Sequence, residues 1–158
     1  LRSLPLDPSM AGGYAITHDG FPAENLTLIE KGVLKSYLLS QYGAVKCNLD
    51  RAANNGYFYV LEPGDDSLDA MIGRVKKGLL LTRFSGGNPG ENGDFSGVAK
   101  NSFLIENGEI KQGLSETMIS GNIKDLFQNI TAVSRETNDS GHSRIPWVLT
   151  EGITISGK

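Results

Sequence analysis

Residues 103–111 read Phe-Leu-Ile-Glu-Asn-Gly-Glu-Ile-Lys, and this stretch decides what kind of fold the chain forms. Two short runs with apolar residues flank Asn107-Gly108. A type I′ turn needs positive φ at both of its central residues, and Asn-Gly is the pair that accepts this most readily. The stretch therefore predicts a β-hairpin that turns at Asn107-Gly108.

The pattern Leu-Ile-Glu-x-Gly-x-[Leu/Ile]-Lys occurs twice, at residues 28–35 and at residues 104–111. The first copy predicts another hairpin, with Lys31-Gly32 at its turn. Two copies are too few for a solenoid. Either stable hairpins simply have similar sequences, or the fold contains two similar β-units.

The remaining pattern contains more strands than helices. Apolar residues at helical spacing predict one helix from Asp66 to about Gly78 and a second from Asn122 to Asn129, with a weaker third over Tyr37–Cys47. Cys47 is expected in the core, where free cysteines usually lie. Further strands are predicted at 14–17, 57–61, 79–84, 131–134, 146–150 and 153–156. This order predicts an α+β fold, predominantly antiparallel β with two packed or barrel-like sheets and two to three short helices.

Glycine is unusually abundant, with 20 among 158 residues, and five glycines fall between Ser85 and Gly97. That segment has neither a helix nor a strand pattern, so a long loop is predicted, and such loops are often functional. The length predicts a single domain over residues 1–158, with an irregular opening segment at residues 1–12.

Composition and motifs exclude several classes of protein. The net charge of −3, from 15 basic and 18 acidic residues, argues against direct nucleic-acid binding. No apolar run is long enough to span a membrane, and the single Cys47 suits a reducing compartment, so a cytoplasmic location is expected. The sequence has no P-loop, His-Glu-x-x-His or Gly-x-Ser-x-Gly motif, and His18 and His142 are expected in exposed loops. The residues alone thus point to no catalytic site.

Five segments resemble the TldD/PmbA family, in the family's order over roughly residues 30–156. They are Val33–Leu39, Leu61–Asp65 (Leu-Glu-Pro-Gly-Asp), Gly93–Gly97 (Gly-Asp-Phe-Ser-Gly), Phe103–Ile110 and Ser120–Leu126 (Ser-Gly-Asn-Ile-Lys-Asp-Leu). The Asn-Gly hairpin followed by Gly-Asn-x-Lys-Asp is the most specific pair. The resemblance is to the C-terminal domain of a PmbA-like (TldE-like) subunit.

The resemblance implies an intracellular protein of paired subunits, linked to modulation of DNA gyrase and to peptide maturation. It implies a metalloprotease assembly whose TldD-type subunit carries a His-Glu-x-x-x-His zinc helix, which would lie upstream of Leu1, and a cysteine ligand near its C-terminus. Where that cysteine is expected, this chain has Ser140-Gly141-His142. We therefore expect no catalytic residue and no cofactor in this chain, with His142 as a weak candidate metal ligand and zinc in the full assembly.

The predicted function is that of a non-catalytic PmbA-type domain whose partner is a TldD-type protease subunit in a hetero-oligomer, or a second copy in a homo-oligomer. Neither a membrane nor nucleic acid is expected as a direct partner. Two alternatives stay open: the C-terminal part of a TldD-type catalytic zinc subunit, and a gyrase regulator without proteolytic activity. The peptide substrate is expected to contact the glycine-rich segment, at Ser85, Gly86, Gly87, Asn88, Gly93, Asp94, Ser96 and Gly97.

Overall fold

A computed structural model describes residues 1–157 of the chain. Among these residues, three short helices accompany many short strands. The helices are α1 (Gln41–Cys47), α2 (Leu68–Gly73) and α3 (Ile123–Gln128). The strands are β1 (Arg2–Ser3), β2 (Leu26–Thr27), β3 (Ile29–Glu30), β4 (Val33–Leu34), β5 (Tyr59–Val60), β6 (Lys77–Leu80), β7 (Arg83–Gly86), β8 (Asp94–Lys100), β9 (Ser102–Glu106), β10 (Glu109–Leu114), β11 (Met118–Asn122), β12 (Ile130–Asp139), β13 (Arg144–Thr150) and β14 (Thr154–Ser156).

The contacts divide the chain into two compact units. The first unit contains residues 1–63 and 137–146, and the second contains residues 64–136 and the residues from Trp147 on. Strands β12 and β13 contribute residues to both units. The single domain over residues 1–158 stays a prediction.

The first unit is built on very short strands. Its sheet has the order β12-β13-β5-β1-β2, in which β1 pairs antiparallel with both β2 and β5, and a separate hairpin joins β3 to β4. The turn of that hairpin has φ of 50° at Lys31 and 78° at Gly32, which confirms the turn predicted there. The strand predicted over residues 14–17 is wrong, since those residues make only an isolated bridge between Ile16 and Pro22.

A buried amide holds this first unit together. The side chain of Asn54 is only 2% exposed, and its oxygen accepts hydrogen bonds from Ser3 Oγ at 3.1 Å and from the Gly56 amide at 2.8 Å. Its nitrogen donates to the carbonyl oxygens of Ser3 and Glu24 at 3.3 and 2.8 Å. Every polar position of the amide is thereby satisfied, which is the condition for burying it without a large cost.

The second unit contains two antiparallel sheets, ordered β10-β9-β6 and β14-β11-β8-β7. β6 pairs with β9 and β7 pairs with β8, so one long two-stranded ribbon contributes to both sheets. The ribbon passes between the sheets at Thr82 and Asn101, where the Thr82 hydroxyl donates to the Asn101 carbonyl oxygen. The buried apolar side chains of this unit are Met71, Ile72, Ala99, Ile105, Ile119 and Ala132.

The Asn107-Gly108 hairpin is confirmed, because β9 and β10 pair antiparallel across it. The turn residues have φ of 51° and 78°. Their amides also donate to the carbonyl oxygens of Lys76 and Val75, at 2.8 and 2.9 Å. The turn therefore fixes the chain segment that follows α2.

The helices differ from their predicted bounds in instructive ways. α2 ends at Gly73 rather than near Gly78, because the next residues meet the β9–β10 turn and enter β6. Its cap is Ser67, whose hydroxyl accepts from the Ala70 amide, and not Asp66. α3 begins after the predicted cap, Asn122.

The third, weaker helix is shorter than predicted, since α1 covers only Gln41–Cys47. The expectation that Cys47 lies in the core is wrong, because the side chain is exposed. Across residues 1–157, no helix is long and apolar enough to cross a membrane. Mostly antiparallel strands with three short helices confirm the predicted α+β class.

Candidate functional site

The glycine-rich segment is a β-hairpin and not the structureless loop that was predicted. Ser85 and Gly86 end β7, residues 94–97 begin β8, and only residues 87–93 form the connecting loop. The two strands pair in the register Ser85↔Val98 and Gly86↔Gly97. We call the paired residues 83–86 and 94–100, with their loop, the glycine hairpin.

A glycine pair inside the hairpin makes room for an aromatic ring. A Cβ atom on Gly86 would lie 2.4 Å from the Phe84 ring, and one on Gly97 would lie 2.5 Å from it. Those two positions would also lie 2.6 and 2.7 Å from the carbonyl oxygens of Ser96 and Ser85. The ring thus covers two glycines that offer no side chain of their own, a known way to stabilise glycine in a sheet. Phe84 also meets Phe95 edge to face, with the ring centroids 6.0 Å apart.

The turn of the hairpin is held by carboxamide and carboxylate side chains. The Asn122 amide nitrogen donates to the Asn92 carbonyl oxygen at 3.0 Å and to Asp94 Oδ1 at 2.8 Å. Asn92 donates to the other oxygen of Asp94 at 2.6 Å. Gly93 has φ of 88°, and a Cβ there would lie 3.2 Å from the Asn122 oxygen. These contacts tie the turn to the start of α3.

Strand β7 is the edge of its sheet. It pairs with β8 on one side and is the last strand in the order β14-β11-β8-β7. An edge strand presents unpaired backbone N–H and C=O groups, to which another extended chain can add. Gly87, directly after the strand, has no atom within 4 Å of the place where its Cβ would be. The geometry therefore offers a short open edge with free space at one end.

The predicted contact residues fall into three groups around this edge. Ser85, Gly86, Ser96 and Gly97 come together in the paired strands. Gly93 and Asp94 belong to the turn held by Asn122, while Gly87 and the exposed Asn88 lie in the connecting loop. Their role as peptide contacts stays a prediction.

Three residues of this region were missed from the sequence. Asn122 was predicted only as a helix cap, yet its side chain also holds the hairpin turn. Arg83 and Lys100 are directly opposite each other in the β7–β8 register, and both are exposed. In the sequence, Arg83 and Lys100 are basic residues on either side of the glycine-rich segment. That they face each other can be recognised only once the pairing of β7 with β8 is known.

His142 lies in the first unit, in the turn between β12 and β13. The side chain is exposed, as expected, and the imidazole meets the Phe58 ring edge to face at 6.0 Å. The nearest acidic residue in sequence, Asp139, accepts from the Gly141 amide at 2.8 Å and lies 3.3 Å from Arg144. Over residues 1–157, no three His, Cys, Asp or Glu side chains are grouped so that they could hold a metal ion. His142 therefore does not form a metal site from the described residues.

An ion cluster surrounds Arg144 in the same turn. The guanidinium lies 3.5 Å from Asp7 and 3.3 Å from Asp139, and it also contacts Ser9. Hydrogen bonds from Ser9, helped by Arg144, hold the pKa of Asp7 below its usual value of 3.8. Nε of Arg144 is buried without a well-directed hydrogen bond, so its contact with Asp139 is one of charge and not of hydrogen-bond geometry. This cluster is structural, since its carboxylates already have partners.

The chain is similar to proteins described as metalloproteases. It is 30% identical over 157 residues to the metalloprotease PmbA of Escherichia coli, and the matched region covers 96% of this chain and 35% of that protein. It is 28% identical over 130 residues to a zinc metalloprotease TldD homolog of Saccharolobus solfataricus, covering 75% of this chain and 29% of that protein. The chain thus spans about a third of the length of these relatives.

The fold is shared with a solved structure from Bacteroides thetaiotaomicron, described as a candidate modulator of DNA gyrase. The two superpose with a TM-score of 0.84 at 34% identity, over 99% of this chain and 36% of that one. The family model for the PmbA/TldA metallopeptidase C-terminal domain matches residues 1–157. By sequence and by fold, the chain belongs to the PmbA/TldA metallopeptidase family, as its C-terminal domain.

Proposed function

We propose that this chain is the C-terminal domain of a PmbA-type subunit and that it holds a peptide substrate as an added strand on β7. The observation that carries the proposal is the position of β7 at the edge of its sheet, beside a glycine pair and an unobstructed Gly87. Backbone pairing supplies affinity without demanding one sequence, and side-chain contacts along the added strand then supply selectivity.

In this proposal, the zinc ion and the partner subunit of the protease come from outside the described residues. In this proposal zinc belongs to the full cytoplasmic assembly, where it would activate water for hydrolysis, and a TldD-type subunit or a second copy completes the protease. Asp139 is engaged by Arg144 and by the Gly141 amide, so the surroundings of His142 do not fit a zinc ion. No step of peptide hydrolysis is assigned to a side chain of this chain.

Two further candidates come from the relatives. The similarity to a TldD homolog favours a second reading, in which this is the C-terminal domain of a catalytic zinc subunit. The similarity to a candidate gyrase modulator favours a third, in which the protein regulates gyrase without proteolysis. Metal analysis of the purified full-length protein, with peptide cleavage measured alone and with its partner, separates them. Zinc and cleavage without a partner support the second reading, and absence of cleavage in both states supports the third.

The strand-addition proposal is tested by enlarging Gly87. Nothing lies within 4 Å of a Cβ at this position, and its φ is not positive, so Gly87→Val is accommodated by the fold. The matched control is Gly113→Val on β10, which has equally open surroundings but lies in the other sheet. In the full-length protein with its partner, we expect Gly87→Val to lower kcat/KM for peptide processing about tenfold, or by about 1.4 kcal/mol, because the branched side chain would fill the free space at the end of β7 and crowd a peptide there.

Both variants should keep the thermal unfolding midpoint of the parent protein. If Gly87→Val, folded as well as Gly113→Val, processes peptide at the parental rate, the edge of β7 does not hold the substrate.

A further inference from the structure

Two like charges face each other across the β7–β8 pair. Arg83 is in register with Lys100, so both side chains project from the same face of the sheet. Within residues 1–157, no carboxylate forms an ion pair with either cation. Glu116 comes two residues before β11 begins. It too forms no ion pair with Arg83 or Lys100.

This arrangement opposes folding, because like charges directly opposite in a sheet are destabilising. Both side chains are exposed, so they are accessible from solvent. An acidic group placed beside them would relieve the repulsion and gain charge-assisted hydrogen bonds, for which the guanidinium of arginine is well shaped. The charge of the pair therefore defines the chemistry of the ligand that complements it.

The position of the pair defines where that acidic group would come from. An extended chain added to the open edge of β7 lies about 4.8 Å from it, and its residue opposite Arg83 projects from the face of Arg83 and Lys100. That residue lies one strand from Arg83 and two strands from Lys100, so the two long side chains approach it from the same direction.

The neighbouring position of the added strand faces Phe84. Successive residues of a strand project from opposite faces, so the residue beside the acidic one lies on the face of the Phe84 ring. That ring is 39% exposed and is held in place by the glycine pair. An apolar side chain on the added strand would cover the exposed part of the ring.

We propose that β7 selects extended peptide segments in which an acidic residue stands directly beside an apolar one. The selectivity comes from Arg83 and Lys100 on one face of the hairpin and from Phe84 on the other. This inference rests on the proposed strand addition and specifies the substrate class that the edge prefers.

The test measures binding of labelled peptides to the full-length protein by fluorescence anisotropy. The parent peptide is an extended ten-residue chain of Ser and Thr whose only charged side chain is the glutamate of one central Glu-Leu pair. A second peptide has glutamine in place of the glutamate, and a third carries N-methyl groups on alternate backbone nitrogens. We expect the parent to bind about tenfold more tightly than the glutamine peptide, as a charge-assisted hydrogen bond would give, and the N-methylated peptide not to bind.

Protein variants then locate the selectivity. In Arg83→Gln with Lys100→Gln, the preference for glutamate should fall below about twofold, because the charge-assisted contacts are gone. Lys76→Gln with Lys77→Gln is the matched control, since it also removes two exposed positive charges from the same unit, away from the β7–β8 pair. This control should keep the tenfold preference for glutamate. In the parent protein, raising the salt concentration should weaken that preference, because salt screens the charges of Arg83 and Lys100.

Each other outcome overturns a defined part of the reasoning. Equal binding of the glutamate and glutamine peptides, or an unchanged preference in the double variant, overturns the selection of acidic residues while strand addition still stands. Undiminished binding of the N-methylated peptide, or no binding of any peptide, overturns strand addition and the selectivity with it.

Discussion

The glycine pair under Phe84 gives a quantitative prediction for Gly97→Ala. The new Cβ would lie 2.5 Å from the Phe84 ring and 2.7 Å from the Ser85 carbonyl oxygen, closer than carbon and oxygen atoms pack. Gly97 is buried in the centre of the hairpin, so the new methyl group fits only if the Phe84 ring and the Ser85 carbonyl group are displaced. Overpacking of this kind costs about 1–3 kcal/mol, and we expect about 2 kcal/mol for Gly97→Ala.

Half of that cost should depend on the ring. Phe84→Ala alone removes a partly buried ring and should cost about 2 kcal/mol, less than a fully buried phenylalanine. In that background the ring clash is gone and only the carbonyl clash persists, so Gly97→Ala should cost about 1 kcal/mol rather than about 2. The double variant should therefore be more stable than the sum of the two single variants predicts, by about 1 kcal/mol.

The assay is equilibrium unfolding in urea, followed by far-UV circular dichroism, with all four proteins of the cycle. A loss of 2 kcal/mol should also lower the thermal midpoint by about 4–8 °C in a chain of this size. Single-variant costs that add within about 0.3 kcal/mol would refute the claim that the ring packs against Gly97.

Two other predictions concern stability away from the edge. Asn54→Ala should lower the free energy of unfolding by about 3–4 kcal/mol, because it leaves the buried Gly56 N–H without its acceptor and also opens a cavity. The same urea titration measures this loss. Parental stability would mean that water replaces the side-chain amide of Asn54. Hydrogen bonds from Arg74 lower the pKa of Asp66 below its usual value of 3.8. The Asp66–Arg74 pair therefore contributes fully to the free energy of unfolding at pH values above 3.8, and this contribution is lost as the pH falls through the lowered pKa. Asp66→Asn should therefore be less stable than the parent near pH 6 and should lose less stability on acidification to pH 2, as measured by thermal melts across that range; parallel pH profiles of the two proteins would contradict the assignment.

The sequence predicted those elements whose signals are local. The Asn107-Gly108 turn depends on two residues that accept positive φ, and α3 depends on Asn122 as a cap with an apolar stripe behind it. Both are present in the structure. Such elements can be predicted because the residues that stabilise them lie within a few positions of one another.

The elements that failed depend on partners distant in sequence. Gly86 and Gly97 look like loop residues, yet they lie in strands because Phe84 and the pairing of β7 with β8 supply what their missing side chains do not. α2 is short because the β9–β10 turn captures the carbonyl groups of Val75 and Lys76, which the helical stripe alone could not reveal. The opposed charges of Arg83 and Lys100 were hidden for the same reason, since their sequence separation conceals their register.

The central claim is that a peptide adds to the open edge of β7, and backbone hydrogen exchange tests it directly. Exchange would be followed by mass spectrometry in the full-length protein, with and without saturating Glu-Leu peptide. We predict slower exchange of amides in residues 83–87 on binding, with two other edge strands, β10 and β14, unchanged. Protection at β10 or β14 with none at residues 83–87 would contradict the account.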